Sequence, residues 1–244
     1  MATPLDVKRK LAKLEALEAR KRLIHGLPHL YAFKWYGWAR EFFESTNRYN
    51  FVVGPNQSSK SSTMIRKCIE WATNKKLWPK LWRTEPAIFW YCYPSMDVAD
   101  IEVRKKWVKE FLPREEFVKE HPEYAWTLVI ERGKVTALDF SSGVTIYFKA
   151  YTQRPEVLQT GTVHALFVDE ELPVELFPEL KFRLAATNGY YHAAFTATLG
   201  QDFWRATMEG RPGKDESVPF PDAFKKQVSL YDCQYYEDGS PSFW

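Results

Sequence analysis

Residues 49–62 read Tyr49-Asn50-Phe51-Val52-Val53-Gly54-Pro55-Asn56-Gln57-Ser58-Ser59-Lys60-Ser61-Ser62. A short apolar run passes through a polar loop into a helical pattern carried by Met64, Ile65, Cys68, Ile69 and Trp71. Strand, loop, helix is the unit. Within the loop Gly54, Lys60 and Ser61 stand at fixed positions of the phosphate-binding pattern G-x-x-x-x-G-K-S/T, with Ser59 in place of the second glycine. That chemistry needs backbone N–H groups converging on phosphates, a helix N-terminus adding positive potential, and a lysine reaching the terminal phosphates. Gly54, Pro55, Asn56, Gln57, Ser58, Ser59 and Ser62 are read as the cradle, Lys60 as the lysine, and Ser61 as the hydroxyl on Mg²⁺. Ser59 fits without strain only if its φ stays negative. A serine-rich helix cap accounts for the same residues in blander terms.

Further along, Ala165-Leu166-Phe167-Val168-Asp169-Glu170 is an apolar strand ending in two acids. In a phosphate-loop ATPase the first acid, Asp169, holds the Mg²⁺ shell and the second, Glu170, polarises the attacking water. An acidic helix start complementing the helix dipole is the alternative. Both features in the right order favour nucleotide binding.

The surroundings agree with an α/β protein. Ala87 to Tyr93 is a continuous apolar run, as in a strand buried on both faces of a parallel sheet. Val135–Leu138 and Val144–Phe148, joined by Ser141-Ser142-Gly143, form a β-hairpin. Residues 97–120 are expected to be helical, interrupted at Pro113, and Val174–Ala186 helical up to Asn188-Gly189. Strands are expected at Val163–Val168, Tyr190–Thr198 and Gln227–Tyr231. Residues 5–24 form an amphipathic helix with Val7, Leu11 and Leu14 on the face expected to dock, on the body or on a neighbouring subunit. The domain reading is a helix over 1–28 followed by one domain over 29–244.

Composition sets the outer bounds. The chain has 244 residues, 45% of them hydrophobic and 27% charged, which excludes a disordered tail. A net charge of +3 is too small to argue for nucleic acid by itself. Lysines and arginines of the N-terminal helix, or Arg104-Lys105-Lys106, are either solvated faces or contacts to DNA phosphates. Cys68, Cys92 and Cys233 have no metal spacing, nor do His25, His29, His121, His164 and His192. No apolar run approaches the roughly 18 residues of a membrane span.

Four stretches in fixed order resemble the large terminase subunit of tailed bacteriophages, the ATPase that pumps DNA into procapsids. They are the aromatic segment Tyr36-Gly37-Trp38-Ala39-Arg40-Glu41-Phe42-Phe43, the loop Gly54–Ser61, the hairpin Gly143–Gln153 running through Gln159-Thr160-Gly161 into Phe167–Glu171, and Arg183, Asn188-Gly189 and Phe195-Thr196-Ala197-Thr198-Leu199-Gly200. The resemblance implies a RecA-like phosphate-loop ATPase, with a mainly parallel sheet flanked by helices, a β-hairpin insertion, and a strand between the loop strand and the acidic strand. It implies ATP and Mg²⁺ as ligands, and catalytic roles for Lys60 and Glu170. Ser61 and Asp169 would then hold the metal, and Thr196, Ala197 and Thr198 would couple hydrolysis to movement.

The family's adenine-reading glutamine is replaced here by Trp38 or Ala39, so recognition of the base rests on stacking by an aromatic, Trp38, or on nothing specific, and a strict preference for ATP over GTP is not implied. Gln57 stands where many members carry an arginine, so the transition-state arginine comes from elsewhere; Arg154 and Arg183 are the candidates. The implied partners are double-stranded DNA bound without sequence preference, a small terminase subunit, a portal or procapsid, and further copies in a ring, in the host cell cytoplasm. Full-length members continue into a nuclease domain. This chain ends at Trp244, so the expectation is the ATPase half, without DNA cleavage. A helicase-like ATPase and a catalytically decayed docking module are the competing readings.

Overall fold

In the computed structural model, which describes residues 4–158, 161–197 and 220–242, apolar runs become the interior strands of one sheet. Its strands are β1 (Tyr49–Val53), β2 (Ile88–Tyr93), β3 (Trp126–Glu131), β4 (Lys134–Phe140), β5 (Thr145–Ala150), β6 (Ala165–Asp169), β7 (Tyr190–Phe195) and β8 (Phe224–Gln227). The order is β3-β4-β5-β2-β6-β7-β1-β8. From β5 to β8 all neighbours are parallel, while β3, β4 and β5 form an antiparallel meander at one edge. β7 lies between the loop strand β1 and the acidic strand β6, as the resemblance implied.

The helices are α1 (Pro4–Gly26), α2 (Pro28–Tyr31), α3 (Gly37–Glu44), α4 (Lys60–Thr73), α5 (Trp78–Leu81), α6 (Met96–Glu102), α7 (Glu115–Glu120), α8 (Pro155–Leu158) and α9 (Phe177–Arg183). A π-helix, Val103–Phe111, continues directly from α6. Strand alternation sends side chains to both faces of the sheet, and each face meets its own layer. Phe89, Tyr91 and Phe167 pack with Met64, Ile65, Cys68 and Trp71 of α4 on one face. Trp90, Cys92, Leu166 and Val168 pack with Leu158, Leu172, Phe177 and Leu180 on the other. Every residue of β6 is buried, so its terminal Asp169 arrives at the sheet edge from a dry interior.

Four sequence expectations shift. The α1 face carrying Val7, Leu11 and Leu14 is not docked on this chain: those residues are 48%, 53% and 60% exposed. The last strand lies at Phe224–Gln227, parallel to β1, and not at Gln227–Tyr231. Leu230 and Tyr231, whose apolar character suggested a strand, are instead exposed around a 3-10 turn. The helix expected over Val174–Ala186 is a 3-10 turn followed by the shorter α9. The strand expected through Thr198 ends at Phe195, and Thr198 lies outside the described residues. Sequence reasoning missed β3, although Trp126, Leu128 and Ile130 alternate with Thr127, Val129 and Glu131 in a run rich in apolar and β-branched residues. Among the described residues no helix is long and apolar enough to cross a membrane.

Candidate functional site

The C-terminal ends of the parallel strands form one edge, the place where open α/β sheets build their ligand crevices. β1 opens there into the Gly54–Ser59 loop, which leads into α4. Gly54 is required by contact: a Cβ would stand 2.9 Å from Val228 Cβ and 3.0 Å from the Val228 carbonyl oxygen. Gln57 and Ser59 have positive φ, at 64° and 66°. Ser59 therefore sits in the left-handed region as the N-cap of α4, making no side-chain cap bond, and the strain that its replacement of glycine threatened is present. For an L-residue this costs about 1–2 kcal/mol. Ser59→Gly should relieve it, less about 0.5–1 kcal/mol of extra chain entropy in the unfolded state. Urea unfolding should show a net gain of up to about 1.5 kcal/mol; a loss would mean that the Ser59 hydroxyl itself holds the loop.

Lys60, buried at the head of α4, donates from Nζ to the carbonyl oxygens of Gly54 (2.9 Å) and Pro55 (2.6 Å) and to Thr196 Oγ1 (3.2 Å). Burial pushes its ammonium below the usual lysine value, while Glu170 and Asp169 pull it back up. Thr196 Oγ1 in turn donates to Asn56 Oδ1 at 2.8 Å, so the segment after β7 is bonded to both the lysine and the loop. Ala197, next to it, packs on the lower core.

Ser61 Oγ donates to Asp169 Oδ1 at 2.7 Å, and Tyr91 OH donates to Asp169 Oδ2 at 3.1 Å. Burial pushes the Asp169 carboxyl up to about 6, against the lowering effect of the Ser61 bond. Tyr151 OH bonds the Asp169 carbonyl oxygen at 2.5 Å, tying the end of β5 to that of β6. A hydroxyl and a buried carboxylate with no basic side chain paired to it directly suit a hard cation. No group of three or more His, Cys, Asp or Glu is placed to hold a metal ion among the described residues. A Mg²⁺ here would be held by Ser61 and Asp169 together with a ligand's own oxygens and water, as that ion prefers. It would supply charge neutralisation between phosphates.

Glu170 follows with φ 69°, its N–H donating to the Ala194 carbonyl at 3.1 Å and its side chain exposed. It borders a cleft of about 310 Å³ lined also by Asn56 through Ser62 and by Lys106. A second cleft of about 210 Å³ shares Ser59 and Ser62 with the first and continues past Tyr36, Ala39, Arg66 and Tyr236. The rings of Tyr36 and Tyr236 stack at 5.0 Å and 17°. Ser59 and Ser62 thus join a phosphate-sized cleft to an aromatic one.

Trp38 is placed otherwise than expected. At 3% exposed it is a core residue with no ring face open to a base, because α3 turns it inward beside Ala39 and Phe42. The aromatics bordering the second cleft include Phe33, Tyr36 and Tyr236; Tyr36 is itself buried at 6% exposed, which leaves Phe33 and Tyr236 as the open ones. Neither candidate arginine lines the phosphate cleft. Arg154 lies exposed just beyond β5, on the loop's own edge of the sheet. Arg183 ends α9, where its carbonyl receives Val163 N–H before β6 begins, so it sits at the opposite edge. There it pairs with Glu179 at 2.6 Å. Sequence reasoning missed Tyr91, Tyr151 and Lys106. Tyr91 sat inside an apolar run that signalled only burial, Tyr151 just past a strand end among polar residues, and Lys106 inside a basic triplet that signalled only charge.

No protein-family model matches the chain, and no curated protein matches it. Among solved structures it is similar to the large terminase ATPase domain of Thermus phage P74-26, at 16% identity and a TM-score of 0.57, covering 81% of this chain and 82% of that one. It is also similar to the large terminase of the thermophilic bacteriophage D6E, at 10% identity and a TM-score of 0.52. That match covers 82% of this chain and 47% of the D6E protein, so this chain spans about half of that one. The chain has the RecA-like α/β fold of the ATPase domains of phage large terminases.

Proposed function

We propose that the chain binds ATP with Mg²⁺ and hydrolyses it, as the ATPase domain of a motor that moves double-stranded DNA into a viral procapsid. The observation that carries this reading is the Ser61–Asp169 bond, which joins the head of α4 to the end of β6 at the mouth of the loop. In that arrangement the Gly54–Ser59 backbone and Lys60 hold the phosphates. Glu170 orients the attacking water and accepts its proton. The aromatic cleft beyond Ser62 receives the base by stacking on Tyr236, which carries little preference between purines.

Thr196 supports the coupling step. It bonds Lys60 and Asn56 without a ligand, so phosphates arriving at Lys60 compete for the same donors and the segment after β7 must respond. Arg154, exposed on the loop's edge, is the arginine that a neighbouring copy in a ring would receive. Arg183, held by Glu179 at the far edge, is the less available of the two for that role. Translocation requires DNA contacts to phosphates only, since a moving motor meets every sequence.

Phosphate release from ATP is expected to be slow for the dilute chain. It should rise with protein concentration and with double-stranded DNA of any sequence, and this stimulation should fall steeply with salt. Hydrolysis unaffected by duplex DNA but stimulated by single strands, with strand unwinding, would favour a helicase-like motor. Absence of nucleotide binding would favour a docking module.

A further inference from the structure

The basic triplet on the π-helix divides three ways. Arg104 is committed to Asp100 at 2.8 Å and to the Gly133 carbonyl at 3.2 Å. Lys105 faces solvent. Lys106 turns into the phosphate cleft, sharing its lining with Gln57, Ser61 and Glu170. Its direct carboxylate partner is Glu102, loosely held at 3.7 Å. Among the described residues, Lys106 and Lys60 are the two cations lining that cleft.

The helix that presents Lys106 is firmly placed. The adjacent Trp107 is fully buried, donates Nε1–H to Tyr93 OH at 2.9 Å, and meets the Tyr91 ring edge-on at 4.9 Å. Tyr91 is the residue whose hydroxyl bonds Asp169. One buried chain of contacts therefore runs from the base of Lys106 to the carboxylate opposite it, and the Lys106 charge favours the ionised form of Asp169. The wide turns of Val103–Phe111 belong to a helix type found mostly as short segments, often at functional sites.

Lys60 is already bonded to two loop carbonyls and to Thr196, at the loop end of the cleft. A bound polyphosphate also places anionic oxygens at the Glu170 end, where the cation on the wall is Lys106. We propose that Lys106 is a second phosphate-binding residue of this site, contacting the terminal phosphate of a nucleoside triphosphate and thereby distinguishing it from the diphosphate. The proposal rests on the nucleotide-binding reading above.

The test is equilibrium binding of fluorescent ADP and of a fluorescent non-hydrolysable ATP analogue, with Mg²⁺, to wild type, Lys106→Met, Lys106→Arg and Lys60→Ala. Lys106→Met keeps the buried stem and removes the charge; Lys106→Gln serves if the methionine variant unfolds early. Loss of triphosphate affinity by about tenfold to a hundredfold is expected, the range of a charge-assisted hydrogen bond. Diphosphate affinity should stay within about twofold, and Lys106→Arg should restore most of the difference. Equal weakening of both nucleotides, or no weakening, would overturn the proposal while wild-type binding abolished in Lys60→Ala keeps the nucleotide site standing. A wild type that binds neither nucleotide overturns the underlying reading, and the role of Lys106 with it.

Discussion

Glu170→Gln is expected to bind ATP as wild type does and to hydrolyse it about a hundredfold to ten-thousandfold more slowly, the usual contribution of a positioned general base. The two effects separate because Glu170 is held by its backbone: the left-handed φ and the N–H bond to Ala194 fix where the side chain emerges, whatever that side chain is. The amide keeps the shape and loses the proton acceptor. Lys60→Ala is expected to behave differently. Its ammonium gathers the carbonyls of Gly54 and Pro55 and the hydroxyl of Thr196, so its removal loosens the loop and takes away the cation that phosphates need. Nucleotide binding itself should fall, by about a hundredfold or more for several charge-assisted bonds lost together. Phosphate-release assays beside equilibrium binding read both. Undiminished hydrolysis in Glu170→Gln would remove that residue from the chemistry; undiminished binding in Lys60→Ala would mean that the loop is no phosphate site.

The loop and the acidic strand were legible because their chemistry demands particular residues adjacent in the chain. Gly54, Asp169 and Glu170 stand where a strand ends and Lys60 and Ser61 where the following helix begins, and apolar runs mark those boundaries well. The sheet's interior was legible for the same reason, since β1, β2 and β6 are buried on both faces. What the sequence concealed depends on distant partners. Trp38 and Tyr36 are two residues apart, chemically alike and both nearly buried, yet only Tyr36, the residue before α3, borders the cleft. Tyr36 gains its partner from Tyr236, near the other end of the chain, which no local pattern announces. Arg154 stood slightly ahead of Arg183 in sequence, for its loop just before the acidic strand, but only the sheet shows that the two lie on opposite edges. Lys106 was hidden by helix pitch: which member of Arg104-Lys105-Lys106 faces the site depends on turns that widen at Val103.

The same dependence on tertiary context makes Asp169 a probe of the apo site. The residue is 4% exposed and its carboxyl is pushed up to about 6, against 3.8 for a free aspartate, because burial penalises the charge more than the Ser61 and Tyr91 bonds favour it. A carboxyl whose folded value is raised binds more protons in the folded state than in the unfolded state between those two values. Stability from this group is therefore greatest below the unfolded value, falls as pH rises through the window, and is lowest above about pH 6, by about 3 kcal/mol in total.

In EDTA, Asp169→Asn should accordingly stabilise the protein at about pH 7, and the advantage should shrink by about 1 kcal/mol on going to about pH 5. The comparison must be a difference between the two proteins, since buried His29 and His192, both held below the usual histidine value by burial, destabilise the fold in their own right as acid charges them. With Mg²⁺ and nucleotide the ordering should reverse. The ligand would then stabilise wild type and leave Asp169→Asn nearly unchanged, because a neutral amide is a poor partner for a hard cation. Urea unfolding at two pH values, with and without Mg²⁺·ATP, measures all of this. A variant as responsive to Mg²⁺·ATP as wild type would place the cation elsewhere, and a pH-independent difference would mean that Asp169 is ionised throughout.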